Sequence, residues 1–135
     1  MAAPIRILLV EDEEINNYIA IRLIQKVMPG AAVTSCLHGK QAIELLTEIK
    51  HDSSKLPDII LLDINMPVMN GWEFLDEFTR LKIDPESKCA IFVLSSSVFS
   101  EDINRAREYP EVKDFICKPL DGTKIRELFS AKVAV

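Results

Sequence analysis

The chain has 135 residues, 48% of them apolar, with 21 acidic and 16 basic side chains and a net charge of −5. That length suits one domain over 1–135, with a core expected at about 4–132, burying about two-thirds of its unfolded surface. The acidic balance argues against direct nucleic-acid or membrane binding, and three scattered cysteines, Cys36, Cys89 and Cys117, read as reduced thiols of a cytoplasmic protein.

Residues 5–10 are apolar apart from Arg6 and form a first expected strand. A helical period follows, in which Ile15, Ile19, Leu23 and Val27 recur near every fourth residue, with Tyr18 and Ile24 widening the stripe. A weaker strand is expected at 31–37, then a helix carrying Ala42, Ile43, Leu45, Leu46 and Ile49. Residues 51–57 read as a surface loop. Residues 59–62 are wholly aliphatic and end in Asp63, too short a run to span a bilayer. No signal peptide pattern opens the chain. Phe74, Leu75, Phe78 and Leu81 mark a third helix, with Trp72 off its phase and expected to be partly exposed. Residues 83–88 read as a second surface loop, and 90–94 and 112–117 as the last strands. Between them, Ile103, Ala106 and Tyr109 give a short helix with a poor apolar stripe that Pro110 ends. Ile125, Leu128 and Phe129 mark a terminal helix.

Strand–helix alternation of this kind predicts a parallel sheet with right-handed crossovers. Five units in this length predict a flavodoxin-like (βα)5 three-layer sandwich with strand order 2-1-3-4-5. In such a sheet, ligands bind beyond the carboxyl ends of the strands where the order reverses. Glu11 and Asp12 follow the first strand, Asp63 ends the third, Ser95, Ser96 and Ser97 follow the fourth, and Lys118 and Pro119 end the fifth. Three carboxylates, a hydroxyl and an ammonium should therefore meet at one edge. The carboxylates would repel unless a divalent cation joined Lys118 in neutralising them, and all-oxygen ligands favour Mg²⁺. A carboxylate can also accept a phosphoryl group, and Asp63 is the central one.

Each residue also has a plainer reading. Glu11 and Asp12 suit a helix N-terminus, and Ser95 to Ser97 suit a polar loop or a cap. Lys118 suits a surface turn, and Phe115 taken alone suits the core. Met66, Pro67 and Gly71 read as loop geometry, with proline fixing φ and glycine permitting a positive φ. His38 and His51 read as isolated, solvated side chains.

Val10-Glu11-Asp12-Glu13, the segment Leu62-Asp63-Ile64-Asn65-Met66-Pro67-Val68-Met69-Asn70-Gly71, Val93-Leu94-Ser95-Ser96 and Lys118-Pro119 together resemble the response-regulator receiver (CheY-like) family of two-component signalling, over almost the whole chain. The resemblance implies that Asp63 is the phosphoacceptor, that Asp12 ligates Mg²⁺ with Glu11 assisting, and that Asn65 offers its backbone carbonyl. It implies that Ser95 is the switch hydroxyl, that Lys118 binds the phosphoryl group through a loop with a cis bond to Pro119, and that Phe115 is the switch aromatic. The implied phosphodonor is a histidine kinase or histidine phosphotransfer protein. The chain departs from the family pattern at Phe115, which lacks a hydroxyl, at Ser96, and around Tyr109-Pro110-Glu111. Positions Asn65 and Ser97 are those with which the family tunes phosphoryl lifetime.

The function implied is a phosphorylated switch whose helix 4/strand 5 face meets an effector, promoting its own phosphorylation rather than working as a turnover enzyme. The alternatives are a non-phosphorylated pseudo-receiver interaction module and an aspartyl-phosphate hydrolase. The hydrolase would need a second acid where Asn65 stands.

Overall fold

Strand-forming and helix-forming runs alternate along the chain as β1 (Arg6–Val10), α1 (Glu14–Val27), β2 (Ala32–Cys36), α2 (Gly39–Ile49), β3 (Ile59–Asp63), α3 (Gly71–Arg80), β4 (Ala90–Ser95), α4 (Ser100–Arg107), β5 (Val112–Cys117) and α5 (Gly122–Val133). The computed structural model describes residues 4–66, 68–96 and 100–133, with the backbone alone at 100 and 131–133. All strand pairs are parallel, in the order β2-β1-β3-β4-β5. This is the flavodoxin-like order expected from the alternation.

Residue parity along the strands builds the three layers, because successive side chains point to opposite faces. Ile7, Leu9, Ile59, Leu61 and Phe92 pack with Ala20 and Ile24 of α1 and Ile125, Leu128 and Phe129 of α5. Leu8, Val10, Ile60, Leu62, Ile91 and Val93 face the other way, onto Leu46, Phe74, Leu75, Phe78 and Ala106 of α2, α3 and α4. Every residue of β3 and β4 is buried, as expected for central strands covered on both faces. The edge strands β2 and β5 are half exposed, so their apolar runs are mixed.

Several expectations need correction. The apolar stripe of α1 faces the sheet only in its second half: Ile24 is buried and Leu23 and Val27 pack against the core, whereas Ile15, Tyr18 and Ile19 are exposed and Asn17 and Ala20 are buried. Segment 51–57 is not simply a surface loop, since a 3-10 turn at Ser53–Lys55 leads into fully buried Leu56. Ile83 likewise anchors segment 83–88 in the core. Gly71 does not take a positive φ; in that loop the left-handed residue is Val68, with φ 68°, a conformation costing a β-branched residue about 1–2 kcal/mol. Pro67 lies outside the described residues. His38 is half-buried and caps α2, its Nδ1 accepting from Gln41 N–H at 3.2 Å.

Trp72 is also buried rather than partly exposed. Its ring stacks on Tyr109, centroids 6.0 Å apart, and the Arg105 guanidinium lies 4.7 Å from its centre. Tyr109 Oη donates to Asp76 Oδ1 at 2.9 Å. This cluster ties the α4–β5 corner to α3, although within α4 itself the only side chain among the described residues that is fully buried is Ala106. Replacing Trp72 by alanine removes a large buried ring and should cost about 3 kcal/mol in urea unfolding. A loss below about 1 kcal/mol would mean that the stack contributes little.

Candidate functional site

The sheet delivers its chemistry to the carboxyl edge by register. Val10 pairs with Leu62, so Glu11 emerges beside Asp63; Asp63 pairs with Leu94, and Ser95 with Cys117. Carboxylate oxygens of Glu11, Asp12 and Asp63 lie within 4.8 Å of one another. Lys118 reaches into this cluster, its Nζ 2.7 Å from Glu11 Oε2 and 3.3 Å from Asp63 Oδ2. Ser95 is fully buried at the end of β4, and its carbonyl accepts the Lys118 N–H at 2.8 Å. The Lys118–Pro119 bond is cis. Asn65 N–H donates to Asp63 Oδ1 at 3.1 Å.

Phe115 sits apart from these groups. It is half-buried on β5 and lines a groove of about 330 Å³ with Ile103, Ala106 and Arg107 of α4. Ser96 is exposed beside Lys118, at a second cleft of about 370 Å³ lined by Leu9, Ala20, Leu94, Pro119 and Leu120. Ser97 lies outside the described residues.

Local contacts explain why the loops hold this shape. Asn17, buried on α1, donates from Nδ2 to the carbonyls of Glu11 at 2.7 Å and Glu13 at 3.3 Å. Its Oδ1 has no partner among the described residues, a cost accepted at a buried position. Asn16 Nδ2 approaches Glu11 Oε1 at 3.5 Å and Glu13 Oε2 at 3.2 Å. Asn70 and Glu73 form a reciprocal cap that starts α3 just beyond the Asp63 loop. Gly71 follows because its N–H donates to Ile64 O at 2.8 Å, and a Cβ there would stand 2.7 Å from Ile64 Cα and 2.9 Å from Asp63 O. None of these supports was read from the sequence, although a polar Asn17 inside a helical stripe was a visible signal.

Burial and the negative charge of Glu11 push the Asp63 carboxyl up to about 6, against the opposing pull of Lys118 and the Asn65 N–H. For Lys118, burial opposes the charged form, but its bond to Glu11 and the charge of Asp63 outweigh that and raise its pKa. The described residues therefore hold three acids against one ammonium. The donors are all oxygen and the net charge left is −2, which suits a hard divalent cation.

A family model described as the response regulator receiver domain matches residues 7–130. The chain is 30% identical over 123 residues to the chemotaxis protein CheY of Thermotoga maritima, covering 90% of this chain and 92% of that protein. It is 32% identical over 124 residues to hybrid signal transduction histidine kinase L of Dictyostelium discoideum, covering 91% of this chain but 7% of the kinase. The chain spans 7% to 26% of the length of the first curated relatives it matches. A two-component response regulator from Cytophaga hutchinsonii has the same fold, with a TM-score of 0.88, 29% identity, and coverage of 99% of this chain and 100% of that one.

The Asp63 shift has a stability consequence in metal-free protein. Folded Asp63 holds its proton more tightly than unfolded Asp63, whose ordinary value is 3.8. The group's favourable contribution is complete below that value and is lost as pH rises through about 6. In EDTA, wild-type stability should fall relative to Asp63→Asn by on the order of 2 kcal/mol between the two limits. Parallel pH profiles in urea unfolding would show that Asp63 is not perturbed.

Proposed function

The chain belongs to the response regulator receiver family, and on that premise we propose that it is a switch driven by phosphorylation of Asp63. The observation that carries this reading is the buried Asp63 carboxylate at a strand end, grouped with Glu11 and Asp12 and facing Lys118 Nζ. An Asp63 oxygen attacks the phosphorus of a phosphohistidine whose other ring nitrogen carries a proton, the P–N bond breaks with its electron pair staying on the ring, and neutral imidazole leaves. The product is an acyl phosphate on Asp63, which water later hydrolyses.

Glu11, Asp12, Asp63 and the Asn65 backbone carbonyl would hold Mg²⁺, which supplies positive charge against the phosphoryl oxygens. Lys118 binds one of those oxygens, exchanging its Glu11 contact for the new anion. Ser95 moves toward the phosphoryl group from β4, and Phe115 turns in the groove beneath α4. The output is a change of the α4/β5 face that an effector reads. Asn65 leaves the site without the second acid of a hydrolase, so the chain promotes its own phosphorylation and dephosphorylation as one domain rather than turning over external substrate. Three free thiols fit a cytoplasmic protein, and among the described residues no helix is long and apolar enough to cross a membrane.

The donor is a histidine kinase or histidine phosphotransfer protein. Exposed Ile19 lines the apolar cleft beside Lys118 and, with exposed Ile15 and Tyr18 on the same helix, offers it a docking face. A small phosphodonor such as phosphoramidate, with Mg²⁺, should add one phosphoryl mass to wild type and none to Asp63→Asn. An unchanged mass would leave a non-phosphorylated interaction module. Ile19→Asp should keep the reaction with phosphoramidate but lose roughly tenfold in transfer from a phosphorylated histidine-containing protein. Equal loss with both donors would place Ile19 in the chemistry rather than in docking.

A further inference from the structure

Lys124 occupies an unusual position for a cation. It is the third residue of α5, where the positive end of the helix dipole disfavours an ammonium. Its own N–H donates to Asp121 Oδ1 at 2.8 Å, so the helix start is already capped without its side chain. The side chain turns back instead, and Nζ donates to the carbonyls of Cys117 at 2.8 Å and Pro119 at 2.9 Å. Those two carbonyls stand on either side of Lys118.

We propose that Lys124 is a positioning residue for Lys118, bridging the two carbonyls that flank it so that the Lys118 ammonium is presented to the phosphoryl group on Asp63. The inference rests on the phosphorylation reading above. Proline gives the loop no N–H at position 119, and the Lys124 side chain brings two donors to this turn. With Lys118 N–H fixed to Ser95 O, the Lys124 bridge leaves the backbone of Lys118 tied from both sides. Only its side chain is then free to move between Glu11 and the arriving anion. The opposite wall of the site is built alike: Asn17 Nδ2 bridges the carbonyls of Glu11 and Glu13, on either side of Asp12. A metal-ligand carboxylate and a phosphoryl-binding ammonium are thus each set by one side chain that clamps the flanking peptides.

Lys124→Met keeps the stem and removes the donors, and Lys124→Arg keeps donors. With phosphoramidate and Mg²⁺, Lys124→Met should slow phosphorylation of Asp63 roughly tenfold at saturating donor, and Lys124→Arg should recover most of that loss. Mg²⁺ affinity, read from Trp72 fluorescence, should stay within about twofold, because Glu11, Asp12 and Asp63 are untouched. In a Lys118→Ala background, Lys124→Met should change the rate by less than about twofold, since the group it positions is gone. An equal slowing in both backgrounds would make Lys124 a general structural prop and overturn the proposal, as would an unchanged rate in the wild-type background. Wild type that takes no phosphoryl group would instead defeat the phosphorylation reading, and the role of Lys124 with it.

Discussion

A carboxylate at the end of a strand buried on both faces is the constraint from which the rest of the molecule follows. Asp63 closes β3, whose other side chains are all buried aliphatics. An acid in such a place is costly unless something nearby is bound to it. The sheet supplies Lys118, but it also supplies Glu11 and Asp12, so the balance remains negative. Stability alone would favour an apolar residue at this position. A surplus of negative charge held in fixed geometry makes sense for a site that waits for cations, and it explains why the neighbouring loops are so heavily tied. Asn17, Gly71, the Asn70–Glu73 cap and Lys124 all act on backbone, and each restrains a segment that carries a charged group.

Where a residue's environment is set by its own strand, it was legible. The aliphatic runs of β3 and β4 marked the central strands, and what followed each run identified the residues at the sheet edge. Lys118 and Glu11 are 107 positions apart, yet strand order alone was enough to bring them together. Environments set by partners that strand order does not place were not legible. Ile15, Tyr18 and Ile19 have the spacing of a buried stripe, but periodicity does not say which apolar face meets the sheet. The inner face joins Ile24 with Ala20 and Asn17, a small and a polar residue that apolar periodicity does not mark. Trp72 looked off-phase because its covering partners, Arg105 and Tyr109, come from beyond β4. The sequence marks Gly71 for its backbone freedom, while the requirement is the close approach of Ile64 and Asp63.

Two physical connections run from Asp63 toward α4. One crosses the sheet, through Ser95, its bond to Lys118 and the pairing of β4 with β5, and ends at Phe115 in the groove beneath α4. The other follows the chain from Asp63 through Gly71, packed on the Asp63–Ile64 peptide, to Trp72 and so to Tyr109 and Arg105. The first connection has no hydroxyl on its aromatic, so Phe115 gains nothing from hydrogen bonding in either position, and its balance rests on apolar burial. The second ends in a ring stack and a bond from Tyr109 to exposed Asp76, each worth about 1 kcal/mol. From α4 itself, Arg105 adds a cation–π contact to the same ring. On the proposed switch reading, a new charge at Asp63 that engages Lys118 and Ser95 would need to supply only a few such increments to shift the helix. On that same reading, the Trp72–Arg105 contact is one that a shift of α4 would have to break.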